Sequence, residues 1–360
     1  MKKLLAMLMT MALTAGVLTA CGNTTVVQQG GGEQAASETE ETAQATETEA
    51  GNEAVSGDAV KTGISIVTTL EGENAAADTD GYATSNISVV AVTVGDDGVI
   101  DACAIDGIKA TINFSKEGKL VDVKDSFLSK NELGKDYGMN TASSIGKEWN
   151  EQAEALAQYA VGKTVEELKN GAVDEAGMAK DADLAASATM YIGSFVDQIE
   201  AAANNAAHLG AAKGDRLVIT QYTHASKSKD AAADADGLTQ AYATIAAITL
   251  KDNTVSSMIL DGVQANVNFD AAGAITSDLK AAVPTKNELG EDYGMKAASG
   301  IGKEWNEQAA AFAAYVTGKT IDEVSGIAVT EEGGAADADL AASVTVSIGN
   351  FISLVEKAAQ

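Results

Sequence analysis

The sequence predicts an α+β fold built twice in tandem. Three observations carry this reading. Long blocks recur at a fixed offset. Each copy opens with β-rich, partly alternating runs broken by Gly and Asp. Each copy then passes into helices with a single apolar stripe. Strands grouped ahead of helices, instead of alternating with them, indicate α+β.

The duplication is read directly from the residues. Lys130-Asn-Glu-Leu-Gly-Lys-Asp-Tyr-Gly-Met139 returns as Lys286-Asn-Glu-Leu-Gly-Glu-Asp-Tyr-Gly-Met295. Ile145-Gly-Lys-Glu-Trp-Asn-Glu-Gln-Ala153 returns unchanged as Ile301 to Ala309, and Asp183-Leu-Ala-Ala-Ser-Ala-Thr189 returns as Asp339-Leu-Ala-Ala-Ser-Val-Thr345. These pairs are 156 positions apart, whereas Asp106-Gly107 matches Asp261-Gly262 at 155, so one short indel lies between them. The expected domains are 61–208 and 215–360, joined by a linker at 209–214.

In the first copy, Ile87 to Val94 is a strand that turns at Gly95-Asp-Asp-Gly98. Val99 to Ile105 and Ala110 to Phe114 are expected as further strands, divided by a turn at Asp106-Gly107. The second copy gives Tyr242 to Leu250, Val255 to Leu260 and Ala265 to Phe269. The Asn-Glu-Leu-Gly segment follows as a loop. A helix is expected over about 144–161 and again over about 300–317. Trp149, Ala153, Leu156 and Tyr159 or Ala160 share one of its faces, as do Trp305, Ala309, Phe312 and Val316. Gly162 and Gly318 stand where a helix C-terminus wants glycine. Thr164-Val-Glu-Glu167 and Thr320-Ile-Asp-Glu323 have capping-box spacing for a short second helix. A last helix is expected from about Thr189 and Thr345. Its apolar face is Ile192, Phe195, Val196 and Ile199 in one copy and Ile348, Phe351, Ile352 and Val355 in the other.

Composition excludes several function classes. The chain has 360 residues, 52 acidic against 24 basic side chains and a formal charge of -28. Such a charge cannot neutralise phosphates, so no nucleic-acid partner is expected. Two cysteines and two histidines are too few for a zinc framework, and no metal site is expected. Cys103 matches Met258 in the other copy and reads as a small buried hydrophobe. His208 and His224 have no counterparts, and Lys147-Glu148 reads as a solvated face. No constellation for acid–base or nucleophilic catalysis stands out.

The N-terminus carries a processing signal. Lys2 and Lys3 precede an apolar run from Leu4 to Thr19, too short to span a membrane comfortably. Leu18-Thr19-Ala20-Cys21 resembles the lipobox of bacterial lipoproteins. That resemblance implies cleavage before Cys21 and acylation of its thiol, placing the protein on the extracytoplasmic face of the cell membrane. Removing 1–20 takes two lysines and no acid, leaving 22 basic against 52 acidic residues, or -30. Residues 21–60 then form an acidic spacer with eight acids and no base, too polar to fold and expected to act as a disordered tether.

The Asp183–Thr189 block and its copy ending at Thr345 precede amphipathic helices. Physically, Ser187 or Ser343 can cap such a helix, and its N-terminus favours an anion. The pattern Asp-x-x-Ala-Ser-Ala-Thr also resembles the covalent attachment motif of the FMN-binding domain family. That resemblance implies Thr189 and Thr345 as acceptors of a phosphoester-linked FMN, up to two per chain. It makes Asp183 and Asp339 the motif acids, and Ser187 and Ser343 the small positions. The second copy departs from the pattern with Val344 before the threonine, and both copies carry Ala-Ser where Ser-Gly is usual. A bound ring would need apolar or aromatic walls; Tyr137, Met139 and Trp149, with Tyr293, Met295 and Trp305, are the candidates.

As a whole the chain resembles the tandem flavinylated lipoproteins of Gram-positive extracellular electron transfer, some of which are known as pheromone lipoproteins. The resemblance implies an electron-transfer carrier more than a catalyst, with a flavin transferase as modifying partner, a membrane electron donor, and an external or flavin-shuttle acceptor. The rival reading is a binding or structural lipoprotein without flavin, whose released signal fragment ending at Ala20 acts as a peptide pheromone.

Overall fold

The structure, a computed structural model, describes residues 58–360. The lipobox, Cys21 and most of the expected tether lie outside the described residues. The described residues fall in one compact unit, and its α+β character is as expected.

Two four-stranded antiparallel sheets form the centre. The first contains β1 (Lys61–Glu73), β2 (Gly81–Val94), β3 (Ile100–Phe114) and β4 (Leu120–Val121) in that order. The chain then lends a short strand, β5 (Ser126–Phe127), to the other sheet, where Ser126 pairs with His224. Helices α1 (Lys130–Leu133), α2 (Trp149–Ala160), α3 (Val165–Ala172), α4 (Ala182–Ala185) and α5 (Gly193–Asn204) follow. The second half opens with β6 (Arg216–His224), β7 (Gly237–Lys251) and β8 (Thr254–Phe269). It continues with α6 (Lys286–Leu289), α7 (Trp305–Val316), α8 (Ile321–Ser325), α9 (Ala338–Ala341) and α10 (Gly349–Lys357).

The strands are longer than expected. β3 and β8 run straight through Asp106-Gly107 and Asp261-Gly262, where a turn was expected. The reason is local: each Asp side chain accepts its own neighbour's N–H, Gly107 at 2.7 Å and Gly262 at 2.7 Å, inside a continuous ladder. β1 and β6, absent from the sequence reading, pair along β2 and β7.

Each sheet is covered on both faces, which accounts for the unbroken apolar runs. Val90 and Val92 of β2 face Trp149, Leu156, Val196 and Ile199 of α2 and α5. Ile87 and Val89, on the opposite face, join a core shared with Ala243, Ile245 and Val263 of the second half. At the end of this shared core the Phe114 and Phe269 rings stack at 4.3 Å and 7°. Gly81 and Gly237 permit it, since a Cβ there would come within 2.5 Å and 2.4 Å of those rings.

The expected linker and the end of the expected tether belong to this packing. Ala211 is buried, Val60 N donates to Ala211 O at 3.0 Å, and Gly214 N donates to Asp101 Oδ2 at 2.9 Å. Glu132 also meets Lys357 at 2.6 Å, joining α1 of the first half to the C-terminal helix.

Candidate functional site

The site begins at the residue that caps α2. Glu148 caps this helix with extended backbone and shares a capping box with Glu151. Its carboxylate also accepts from Met139 N at 2.8 Å, as Glu304 does from Met295 N at 2.8 Å. The loops bearing Tyr137 and Met139, and Tyr293 and Met295, are thereby tied to the helices. The solvated face expected for Lys147-Glu148 is a correction: Glu148 and Glu304 are buried, each needed by orphan N–H groups of helix and loop.

One helical turn on, Gln152 and Gln308 are fully buried. Gln152 Oε1 accepts from Thr189 N at 2.8 Å, Met190 N at 3.2 Å and the Thr189 hydroxyl at 3.3 Å. Gln308 Oε1 accepts from Thr345 N at 2.8 Å, Val346 N at 3.2 Å and the Thr345 hydroxyl at 3.1 Å. The other end of each amide donates to a backbone oxygen, Lys147 O or Lys303 O, both at 3.1 Å. A carbonyl only accepts, so the amide orientation is set. Neither glutamine was singled out in the sequence. The available signal was their place inside the unchanged nine-residue block.

The threonines lie in a loop between two helices, and the last helix begins later than expected. It starts at Gly193 and Gly349, with Ile192 and Ile348 at the cap position. Ser187 and Ser343 therefore do not cap it. Their N–H groups bond Leu184 O and Leu340 O, at the trailing end of α4 and α9. Those short helices are capped by Asp181 and Asp337, while Asp183 and Asp339 are exposed in their first turns. The motif acids thus make none of the hydrogen bonds that hold the threonines. Ala188 and Val344, just before the threonines, are buried in the cores of their halves. Val344 therefore alters packing beneath the loop and leaves the hydroxyl's partner unchanged.

The aromatic candidates converge, in each half, on a lysine the sequence reading passed over. Lys130 Nζ lies 4.6 Å from the Trp149 ring centre and 5.1 Å from that of Tyr137. Lys286 Nζ lies 4.5 Å from Trp305 and 4.8 Å from Tyr293. Trp149 and Trp305 are buried and meet Phe195 and Phe351 edge-on, each at 6.0 Å. Tyr137, Met139, Tyr293 and Met295 are partly buried against the same cores. Both lysines persist between copies while Lys135 becomes Glu291 a few positions on, which was the legible clue.

Burial lowers the pKa of both ammonium groups. It brings Lys286 to about 8, opposed by the charge of Asp261. Burial also pushes the Asp106 and Asp261 carboxyls up to about 6, against their hydrogen bonds from neighbouring N–H groups. Cys103 is half-buried against the first core, and burial raises its thiol to about 12, which leaves it an unreactive thiol.

Each half thus ties a threonine hydroxyl to a buried glutamine one helical turn along from the tryptophan of a Trp–Tyr–Lys cluster. Among the described residues, no helix is long and apolar enough to cross a membrane. No protein-family model matches the chain, no curated protein matches it, and no solved structure matches it.

Proposed function

We propose that the chain is a lipid-anchored extracytoplasmic flavoprotein that carries FMN as a phosphoester on Thr189 and Thr345 and works as an electron carrier. In this reading two tandem FMN-binding-like domains follow a lipidated Cys21 and an acidic tether. The observation that carries it is the matched seating of the two hydroxyls. Each is held by a buried glutamine of α2 or α7 in the same three-donor arrangement.

The residues fit the group. Gln152 and Gln308 fix the loop through two backbone N–H groups, which stay in place when the hydroxyl proton is lost on esterification. In the first half Trp149, Tyr137 and Lys130 offer flat walls and a cation to an aromatic ring; in the second, Trp305, Tyr293 and Lys286 are gathered in the same way but Lys286 is buried against Tyr242. The flavin supplies reversible electron transfer when bound, and the protein supplies anchoring, orientation and electrostatics. A membrane donor, a flavin transferase, and an external or flavin-shuttle acceptor are the implied partners. The charge of -30 after removal of residues 1–20, 22 basic against 52 acidic side chains, favours cationic acceptors over anionic ones.

The test is co-expression of the chain with a flavin transferase, followed by denaturation and inspection of the band for flavin fluorescence. A band that stays fluorescent after denaturation is expected, with Thr189→Ala and Thr345→Ala each removing about half the signal. A dark band would leave the rival, a flavin-free binding or structural lipoprotein.

A further inference from the structure

The two halves differ behind the tryptophan. In the first half a cavity of about 200 Å³ opens between β1, β2 and the start of α5. Trp149, Phe195 and Val67 give it apolar walls; Lys130, Ser88 and Gln198 give it polar ones. Gln198 is 5% exposed; its Nε2 donates to Ser88 Oγ at 2.9 Å and Ser194 O at 3.3 Å. Its Oε1 is closed off from solvent and has no partner among the described residues.

The same place in the second half is found by register. Asn86, on the rim of the cavity, pairs with Thr69 and Lys109. Counted from the matching strand starts at Gly81 and Gly237, its counterpart is Tyr242, which pairs with His224 and Gln264. The Tyr242 ring lies 4.5 Å from Lys286 Nζ, its hydroxyl accepts from that ammonium, and His224 stacks on its other side at 5.0 Å. Lys286 is left 2% exposed, whereas Lys130 is only partly buried. Leu354 stands where Gln198 does, so the free acceptor is gone as well.

We infer that the first half alone holds a preformed seat for a planar heteroaromatic ring bearing a carbonyl on its edge, and that Tyr242 fills the corresponding seat in the second half. Flat walls select a planar group, and Lys130 donates to a ring carbonyl. The volume is below the roughly 300–1,000 Å³ of sites that enclose a drug-sized ligand, so it suits a ring and not a whole nucleotide. Trp149 is one turn, about 5 Å, from the glutamine that holds Thr189. The identity of the ring as an isoalloxazine rests on the proposed function. On that reading the two flavins are unequal, the first seated and the second excluded by the protein's own tyrosine.

The probe is riboflavin, which lacks the phosphate needed for the ester. It is titrated into the full mature chain carrying Thr189→Ala and Thr345→Ala, with quenching of flavin fluorescence as readout. One riboflavin per chain is expected. Asn86→Tyr in that background should weaken binding at least tenfold, and Tyr242→Asn should raise the stoichiometry from one to two. No binding, two sites in the parent, unchanged affinity in Asn86→Tyr, or a single site in Tyr242→Asn would each overturn the inference. Because no ester forms in this background, loss of the covalent reading and loss of the ring seat are separate outcomes.

Discussion

At the scale of single residues, the most consequential groups are polar ones placed where charge is costly. Asp106 and Asp261 are buried, and their carboxyls titrate near 6 instead of 3.8. Between those values the folded chain holds a proton that the unfolded chain has released. Stability therefore falls as pH rises through that window, and the full cost stays above it. Two pKa units set an upper bound of about 3 kcal/mol per carboxyl. Asn at either position still accepts from the N–H groups of Gly107 and Asn131, or of Gly262 and Asn287, without a charge to bury. Thermal melts at pH 4 and pH 7 should show a smaller loss of Tm in Asp106→Asn and Asp261→Asn than in the parent. Equal losses would remove the buried carboxylates from the account.

At the scale of elements, the helices were legible and the sheets only in part. α2 and α7 were read from an apolar stripe that is buried as expected at Trp149, Ala153, Leu156 and Trp305, Ala309, Phe312. The capping boxes at Thr164 and Thr320 stand where their spacing put them. Asp106-Gly107 misled, because the pair that marks a turn here sits inside a ladder. The start of α5 was placed early because a Ser–Thr sequence before an apolar face looks like a cap, yet Ser187 belongs to the end of α4. Gln152 was hidden because a glutamine on a helix signals nothing until the loop it serves is seen. That loop offers the element-scale test. Gln152→Ala leaves three donors of the α4–α5 connection without their acceptor, at a cost of about 1–3 kcal/mol. Hydrogen exchange should quicken at Thr189 and Met190, and flavin incorporation at Thr189 should fall with incorporation at Thr345 preserved. Unchanged exchange would show that Gln152 does not hold the loop.

At the scale of the molecule, the duplication was plain in the sequence, but the way the halves meet was not. Nothing in a repeat states which face of its sheet will be covered by the other repeat. The answer lies in residues such as Ile87, Val89 and Ile245, which alternate with the helix-facing set and fill a common core. Phe114 and Phe269 close that core by stacking. Phe114→Ala should cost about 3–5 kcal/mol, and calorimetry should show a single transition that moves down as a whole. Two separate transitions in the parent would mean that the halves unfold as independent bodies.

The central claim is that both threonines carry the flavin. Its most direct test is peptide mapping by tandem mass spectrometry of the chain produced with a flavin transferase. The account predicts FMN, added with loss of water, on the peptide containing Thr189 and on the peptide containing Thr345, with fragment ions that place it on those hydroxyls. Unmodified threonines, or an adduct on any other residue, would contradict it.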